Sequence, residues 1–125
     1  MLSEPINSYR DLKVWQDAMS LAESCYLLTK EFPREEMFGM TSQIRQAASS
    51  IPANIAEGHG REGTRTFIPY LRIAQGSLKE VETHLLLAAR VKLISQQRIE
   101  AVLDGYQHLG RMLRALIRRL EKKID

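Results

Sequence analysis

Apolar residues recur along this chain at steps of three and four, and no stretch alternates as a strand would. A first helix is predicted from about Tyr9 to about Lys30. It carries two adjacent apolar stripes: Leu12, Trp15, Met19, Ala22 and Tyr26, and beside them Val14, Ala18, Leu21, Cys25 and Leu28. A helix that buries one side in a small bundle needs an apolar arc of only a little over about 100°. Two stripes exceed that, so the first helix is expected to touch two neighbours, one of them from another subunit. Phe32-Pro33 ends it, because the residue before proline is pushed out of the α region.

The second helix is expected from Thr41 or Ser42 as cap, with a helical turn already forming over Glu36 to Met40, and Ile44, Ala48, Ile51 and Ile55 facing the core. Pro52 removes one N–H from this helix and predicts a kink, with Ser49 and Ser50 available to the freed carbonyl of Ala48. Gly58 and Gly60 read as its stop and corner. The third helix is expected to start with Thr66 in preference to Thr64 as cap, which would put Pro69 in the first turn. Its stripe is Phe67, Leu71, Ala74, Leu78, Val81, Leu85 and Ala88, and Gly76-Ser77 reads as a close crossing with the second helix. After a turn over Val91–Ile94, Ser95 caps a fourth helix to about Lys123, with Ile99, Val102, Tyr106, Leu109, Leu113, Leu116 and Leu120 inward. The two later helices would each approach about 40 Å. The fold class expected is all-α, an antiparallel up-down-up-down four-helix bundle, with residues 1–8 a flexible lead-in and 9–125 a single domain.

The 125 residues and 44% hydrophobic content suit one globular core. Cys25 is the only cysteine, so no intramolecular disulfide forms, and a small buried residue is its expected role. No apolar run has the length of a signal peptide core or a membrane span, and the cytoplasm is the expected location. Charge is uneven. Residues 1–60 hold five Lys/Arg and eight Asp/Glu, whereas residues 61–125 hold thirteen and seven. Arg111 to Lys123 alone carries six basic residues against Glu121.

Candidate chemistry narrows quickly. The Glu-x-x-His pairs of di-iron bundles are absent; His84 and His108 follow Glu80 and Asp104 by four residues, a spacing typical of surface pairs, and His59 lies in the glycine corner. No metal and no cofactor are expected. Ser49 and Ser50 lack a base at helical spacing, so hydrolysis has no nucleophile. Asn54, Glu57 and Arg61, on a stripe with Ala47 and Ser50, form the one mixed constellation, read as a network holding the second helix or a subunit contact. The basic faces are the stronger signal. Arg111, Arg114, Arg118 and Lys122 share one face of the fourth helix with Arg119 and Lys123 near it, and Arg65, Arg72 and Lys79 recur every seventh residue on the third. This exceeds what compensation of a helix dipole requires and points to phosphate binding. Surface aromatics for stacking bases are not evident in the pattern.

Asp11-Leu12, Val14-Trp15, Phe32-Pro33, Gly39, Thr41-Ser42-Gln43, the block Ser50-Ile51-Pro52-Ala53-Asn54-Ile55-Ala56-Glu57-Gly58, and Ala74-Gln75-Gly76-Ser77 together resemble the bacterial four-helix bundle family named for intervening sequences in 23S ribosomal RNA genes. The resemblance covers roughly residues 9–95. It implies a homopentameric bundle with a basic surface and no enzymatic activity. The accessory protein of diversity-generating retroelements looks like a relative, and its pentamer binds a reverse transcriptase and nucleic acid. The family block maps onto Gln43, Arg45, Ser50, Pro52, Asn54, Glu57, Gly58 and Arg61, with no role assigned to any. Two positions depart from the pattern: Arg45-Gln46, where relatives commonly have two basic residues, and Pro69 inside the third helix.

The expectation is therefore a non-enzymatic homo-oligomer, a pentamer by the resemblance, that binds structured RNA or DNA through Arg65, Arg72, Lys79, Arg111, Arg114, Arg118, Arg119 and Lys122. The alternative is a scaffold or accessory subunit for a partner protein.

Overall fold

The computed structural model describes residues 8–124. Four α-helices make the fold: α1 (Lys13–Thr29), α2 (Met40–Gly60), α3 (Thr64–Arg90) and α4 (Gln96–Ile124). A 3-10 turn over Tyr9–Asp11 precedes α1, and another over Arg34–Glu36 precedes α2. Contacts along each seam run in opposite directions. Thr29 meets Arg45 between α1 and α2, Ser50 meets Ser77 and Glu57 meets Tyr70 between α2 and α3, and Arg72 meets Glu121 between α3 and α4. Cys25 meets Tyr106 where α1 closes on α4, and Glu31 pairs with Arg98 one end further along. Each helix packs closely on its two neighbours in an up-down-up-down bundle, the diagonal pairs lying further apart across the shared core.

Periodicity explains what is inside. Ile44, Ala48, Ile51 and Ile55 of α2 are fully enclosed, and all seven stripe positions of α3 are buried. Each enclosed Ile or Leu contributes about 1.5–3 kcal/mol of burial free energy. On α4 the stripe steps by four after Leu113, so Ile117 is buried and Leu116, expected inward, is half-buried along with Leu120. On α1 the stripe through Val14, Ala18, Cys25 and Leu28 is enclosed. Of the other stripe only Ala22 is buried, while Met19 and Tyr26 remain 45% and 43% exposed.

The starts and stops differ from expectation in ways the local chemistry explains. The lead-in of residues 1–8 lies outside the described residues save for Ser8. The Ser8 hydroxyl accepts from Arg10 N–H and the Asp11 carboxylate accepts from Ser8 N–H, a capping box around a single turn. Leu12 is then extended, and the first helix begins at Lys13, not Tyr9. Glu36 Oε1 takes the Met40 N–H at 3.1 Å, so the cap of α2 comes from Glu36 and neither Thr41 nor Ser42 provides it. The corner after α2 is made by Glu62 and Gly63, both at positive φ (49° and 112°), rather than by Gly58 and Gly60, which lie within the helix. That corner lets α3 begin at Thr64, with Gly63 at the cap position, so Pro69 falls inside the helix and Thr66 is not its cap. The missing proline N–H leaves the Arg65 carbonyl without its intrahelical donor. α3 ends on Lys92 at φ 65°, with Leu93 N–H bonding Ala88 O at 2.9 Å and Lys92 N–H bonding Ala89 O at 3.1 Å, the Schellman arrangement. The expected cap of α4 is observed, Ser95 Oγ accepting from Arg98 N–H.

Glycines set two of the seams. A Cβ built on Gly58 would lie 2.5 Å from Tyr70 Cβ, so α2 and α3 cross closely there. A Cβ on Gly105 would lie 2.5 Å from Leu21 Cδ2 in the α1–α4 seam. Gly76, read from the sequence as a crossing, faces open space; Ser77 beside it makes the crossing through its hydroxyl pair with Ser50 at 2.9 Å.

Candidate nucleic-acid interface

The cations of α3 and α4 meet along the seam between those helices. A groove of about 390 Å³ is lined by Arg72, Gln75, Gly76, Leu78 and Lys79 from α3 and by Gly110 and Arg114 from α4. Stepwise spacing produces this. Arg72, Gly76 and Lys79 share one face of α3 at steps of four and three, and Gly110 and Arg114 share one face of α4 at a step of four. The antiparallel register then sets the two faces edge to edge. Gly110 is the lining residue that pattern reading missed, and its position four residues before Arg114 was the available signal.

The remaining candidate cations are distributed around this groove. Arg111 and Arg118 flank Arg114 one helical turn either side and are exposed, as are Lys122 and, at the start of α3, Arg65. Arg119 lies on the other flank of α4, over a hollow lined by Leu12, Lys13, Val14, Met112, Ala115 and Leu116. Two candidates are tied to acids. Arg72 pairs with Glu121 across the seam at 2.6 Å and Lys79 with Glu82 at 3.1 Å. Arg72, Lys79 and Glu121 are about half or more exposed, so each pair contributes at most about 1 kcal/mol and is easily exchanged for a phosphate. Arg65, Arg111, Arg114, Arg118, Arg119, Lys122 and Lys123 have no carboxylate partner among the described residues.

The family-type residues on α2 fall into separate clusters. Arg45 is half-buried, with its Nε donating to Thr29 Oγ1 at 2.9 Å and its guanidinium 4.7 Å from the centre of the Tyr26 ring. This joins α2 to α1 and leaves Gln43 exposed. Asn54 donates to both the carbonyl and the hydroxyl of Ser50, and Ser50 reaches Ser77. Ser49 donates to the Gln46 carbonyl. Both serine hydroxyls therefore have partners other than the Ala48 carbonyl, to which they were expected to turn. Pro52 itself is buried. Glu57 pairs with Arg61 at 2.9 Å and accepts from Tyr70 OH, over whose ring Arg61 lies at 5.4 Å. The carboxylate hydrogen bond, with lesser contributions from the Glu57 charge and Tyr70, raises the Arg61 pKa above its ordinary value. Glu57 and Arg61 thus meet within one chain, and Asn54 belongs to a different network one turn away.

Other chemistry finds little support. Cys25 is enclosed, and burial pushes its thiol up to about 11, partly offset by the hydrogen bond with Tyr106. Burial likewise raises Tyr106. A neutral thiol packed against a phenol is a poor nucleophile. His59 packs edge-on against Phe67, and among the described residues no three His, Cys, Asp or Glu side chains gather to hold a metal ion. No described helix is long and apolar enough to cross a membrane.

The far side of the bundle is apolar. Tyr9, Trp15, Met19, Ala22 and Tyr26 line a groove of about 710 Å³ with Pro52, Ala53 and Ala56 of α2. Phe38 stands 96% exposed at the corner before α2. Surface aromatics are thus present, contrary to the sequence expectation; they cluster on the α1–α2 face, away from the α3–α4 cations. Met19 and Tyr26 read as core in a helical pattern, and only the tertiary arrangement leaves them exposed, with Trp15 partly buried beside them.

Comparisons with known proteins agree on the architecture. A search of curated proteins found no significant match. A crystal structure of a protein of unknown function from the S23 ribosomal protein family, from Bacteroides thetaiotaomicron, superposes with a TM-score of 0.74 at 25% identity, covering 83% of this chain and 97% of that one. Neither that protein nor the family matched by this chain is described by an enzymatic activity. The model of the 23S rRNA-intervening sequence proteins matches residues 10–115, and the chain belongs to that family.

Proposed function

We propose that the protein is a non-enzymatic, cytoplasmic homo-oligomer, with five copies as the family resemblance implies, that binds structured RNA or DNA through phosphate contacts on the α3–α4 face. One observation carries this: the six cations between Arg111 and Lys123 are exposed with no carboxylate partner among the described residues, leaving a concentrated positive field along the outer surface of α4. Repetition of that surface by symmetry multiplies a weak patch into useful avidity. Self-association rests on the outer stripe of α1, whose Trp15, Met19 and Tyr26 line an apolar groove on the opposite face.

Binding of labelled structured RNA and duplex DNA across a salt series tests the reading, with Arg111, Arg114 and Arg118 replaced by alanine in one variant. Affinity should fall steeply with salt. The variant's log–log slope should be shallower by about three, since each phosphate contact contributes about 0.9. Absence of binding at low salt removes the reading. In its place would stand a protein-interaction scaffold, favoured by the same aromatic groove and by Phe38; partners captured after nuclease treatment would then carry the function.

A further inference from the structure

We infer that the α3–α4 groove is the seat of a phosphodiester backbone, with Gly76 and Gly110 forming a floor kept bare so that the backbone can approach closely. The inference rests on the nucleic-acid reading above and locates it. The argument begins with three cations converging on one hollow, Arg72 and Lys79 on one wall and Arg114 on the other. Arg111 and Arg118 extend the second wall by a turn in each direction.

The floor is what distinguishes a seat from a merely positive surface. Glycine inside a helix is less favourable than alanine, and natural helices tolerate it where something must come near. Bundle packing asks for neither residue. A Cβ on Gly76 would meet nothing within 4 Å, and one on Gly110 would make ordinary contacts with Leu78 at 3.8 Å and 3.9 Å. The fold therefore gains nothing from either glycine. Side chains at these two positions would fill the groove between the cations and hold an anion off all three at once. The Arg72–Glu121 pair spans the seam beside the floor, and exchange of Glu121 for a phosphate would bring Arg72 onto the anion.

Substitution of Gly76 separates fold from function in opposite directions. Gly76→Ala should raise the melting temperature by about 2–5 °C at fixed protein concentration, because a helix-breaking residue is removed and no clash is created. Gly76→Leu should fold equally well and block the floor. With a labelled RNA hairpin as probe, its salt slope should be shallower by about three, as phosphate contacts to Arg72, Lys79 and Arg114 are lost together. Gly76→Leu with unchanged affinity and slope, while the Arg111, Arg114 and Arg118 variant is impaired, would overturn the floor and leave the basic-face reading intact. Unchanged binding in both variants, or no binding by the native chain, would overturn both. Light scattering must show the native subunit number in Gly76→Leu. A lower number would mean the floor seats a helix of a second copy, and the inference would fail.

Discussion

Four glycines lie within helices at seams of this bundle, and they make two kinds of seam. At Gly58 and Gly105 the neighbouring helix comes so near that a single added carbon collides with Tyr70 or Leu21. At Gly76 and Gly110 the same carbon has room. The first pair sits where a seam is closed locally by packing, at the α2–α3 crossing and at the Leu21 contact of α1 with α4. The second belongs to α3–α4, which is open on its outer side and flanked by arginine and lysine. A helical glycine thus marks a close helix crossing in the first case and a bare groove with room to spare in the second. Which of the two applies depends on the partner element.

The largest effect that could break this comparison is at Gly58. Gly58→Ala places its methyl against Tyr70 Cβ, an atom fixed to the α3 backbone, and should cost about 1–3 kcal/mol in chemical denaturation. Stability equal to the native chain would mean the seam is not closed. A second test concerns the closed α1–α4 seam, where Cys25 and Tyr106 are enclosed. The Cys25 thiol is raised to about 11 in the fold against an ordinary 9.0, so the native state holds its proton more tightly than the unfolded chain. Its contribution to stability is complete below pH 9 and is lost as pH rises from 9 to 11, at up to about 1.4 kcal/mol per unit. Denaturation midpoints followed across that window should flatten in Cys25→Ala relative to the native chain; parallel curves would refute the enclosure. The smallest effect is expected at Gly105. Its clash is with the far end of the flexible, half-buried Leu21, and relief of that contact plus the helix gain of alanine should leave Gly105→Ala within about 1 kcal/mol of the native chain.

Much of the fold was legible because periodicity survives in isolation. All seven α3 stripe residues and all four of α2 are buried as their spacing implied. What the pattern could not reveal was set by partners distant in sequence or by single local bonds. The start of α1 was misplaced because the Ser8–Asp11 capping box closes one turn and then releases the chain at Leu12. Pro69 was expected in a first turn because proline usually avoids helix interiors, whereas the positive-φ corner at Glu62 and Gly63 already commits the chain to helix at Thr64. Gly58 looked like a stop and is a crossing; Gly76 looked like a crossing and faces outward. The basic lines of α3 and α4 were readable separately, but their convergence at Arg72, Lys79 and Arg114 required the register of two antiparallel helices. The exposure of Met19 and Tyr26 likewise depended on which stripe of α1 its neighbours α2 and α4 cover.

The order of contacts along the chain carries a kinetic consequence. Three of the four seams join helices adjacent in sequence, so each can form as a local hairpin with a short connection. The α1–α4 seam is different: the Cys25–Tyr106 contact spans 81 residues. Its loop-closure entropy is recovered only after the intervening helices have shortened that path by packing. This seam should therefore close late in folding and open first in the native ensemble, with Cys25 uncovered each time it does. The lone thiol is thereby a built-in clock, its rate of labelling by a thiol reagent reporting how often the bundle comes unlatched.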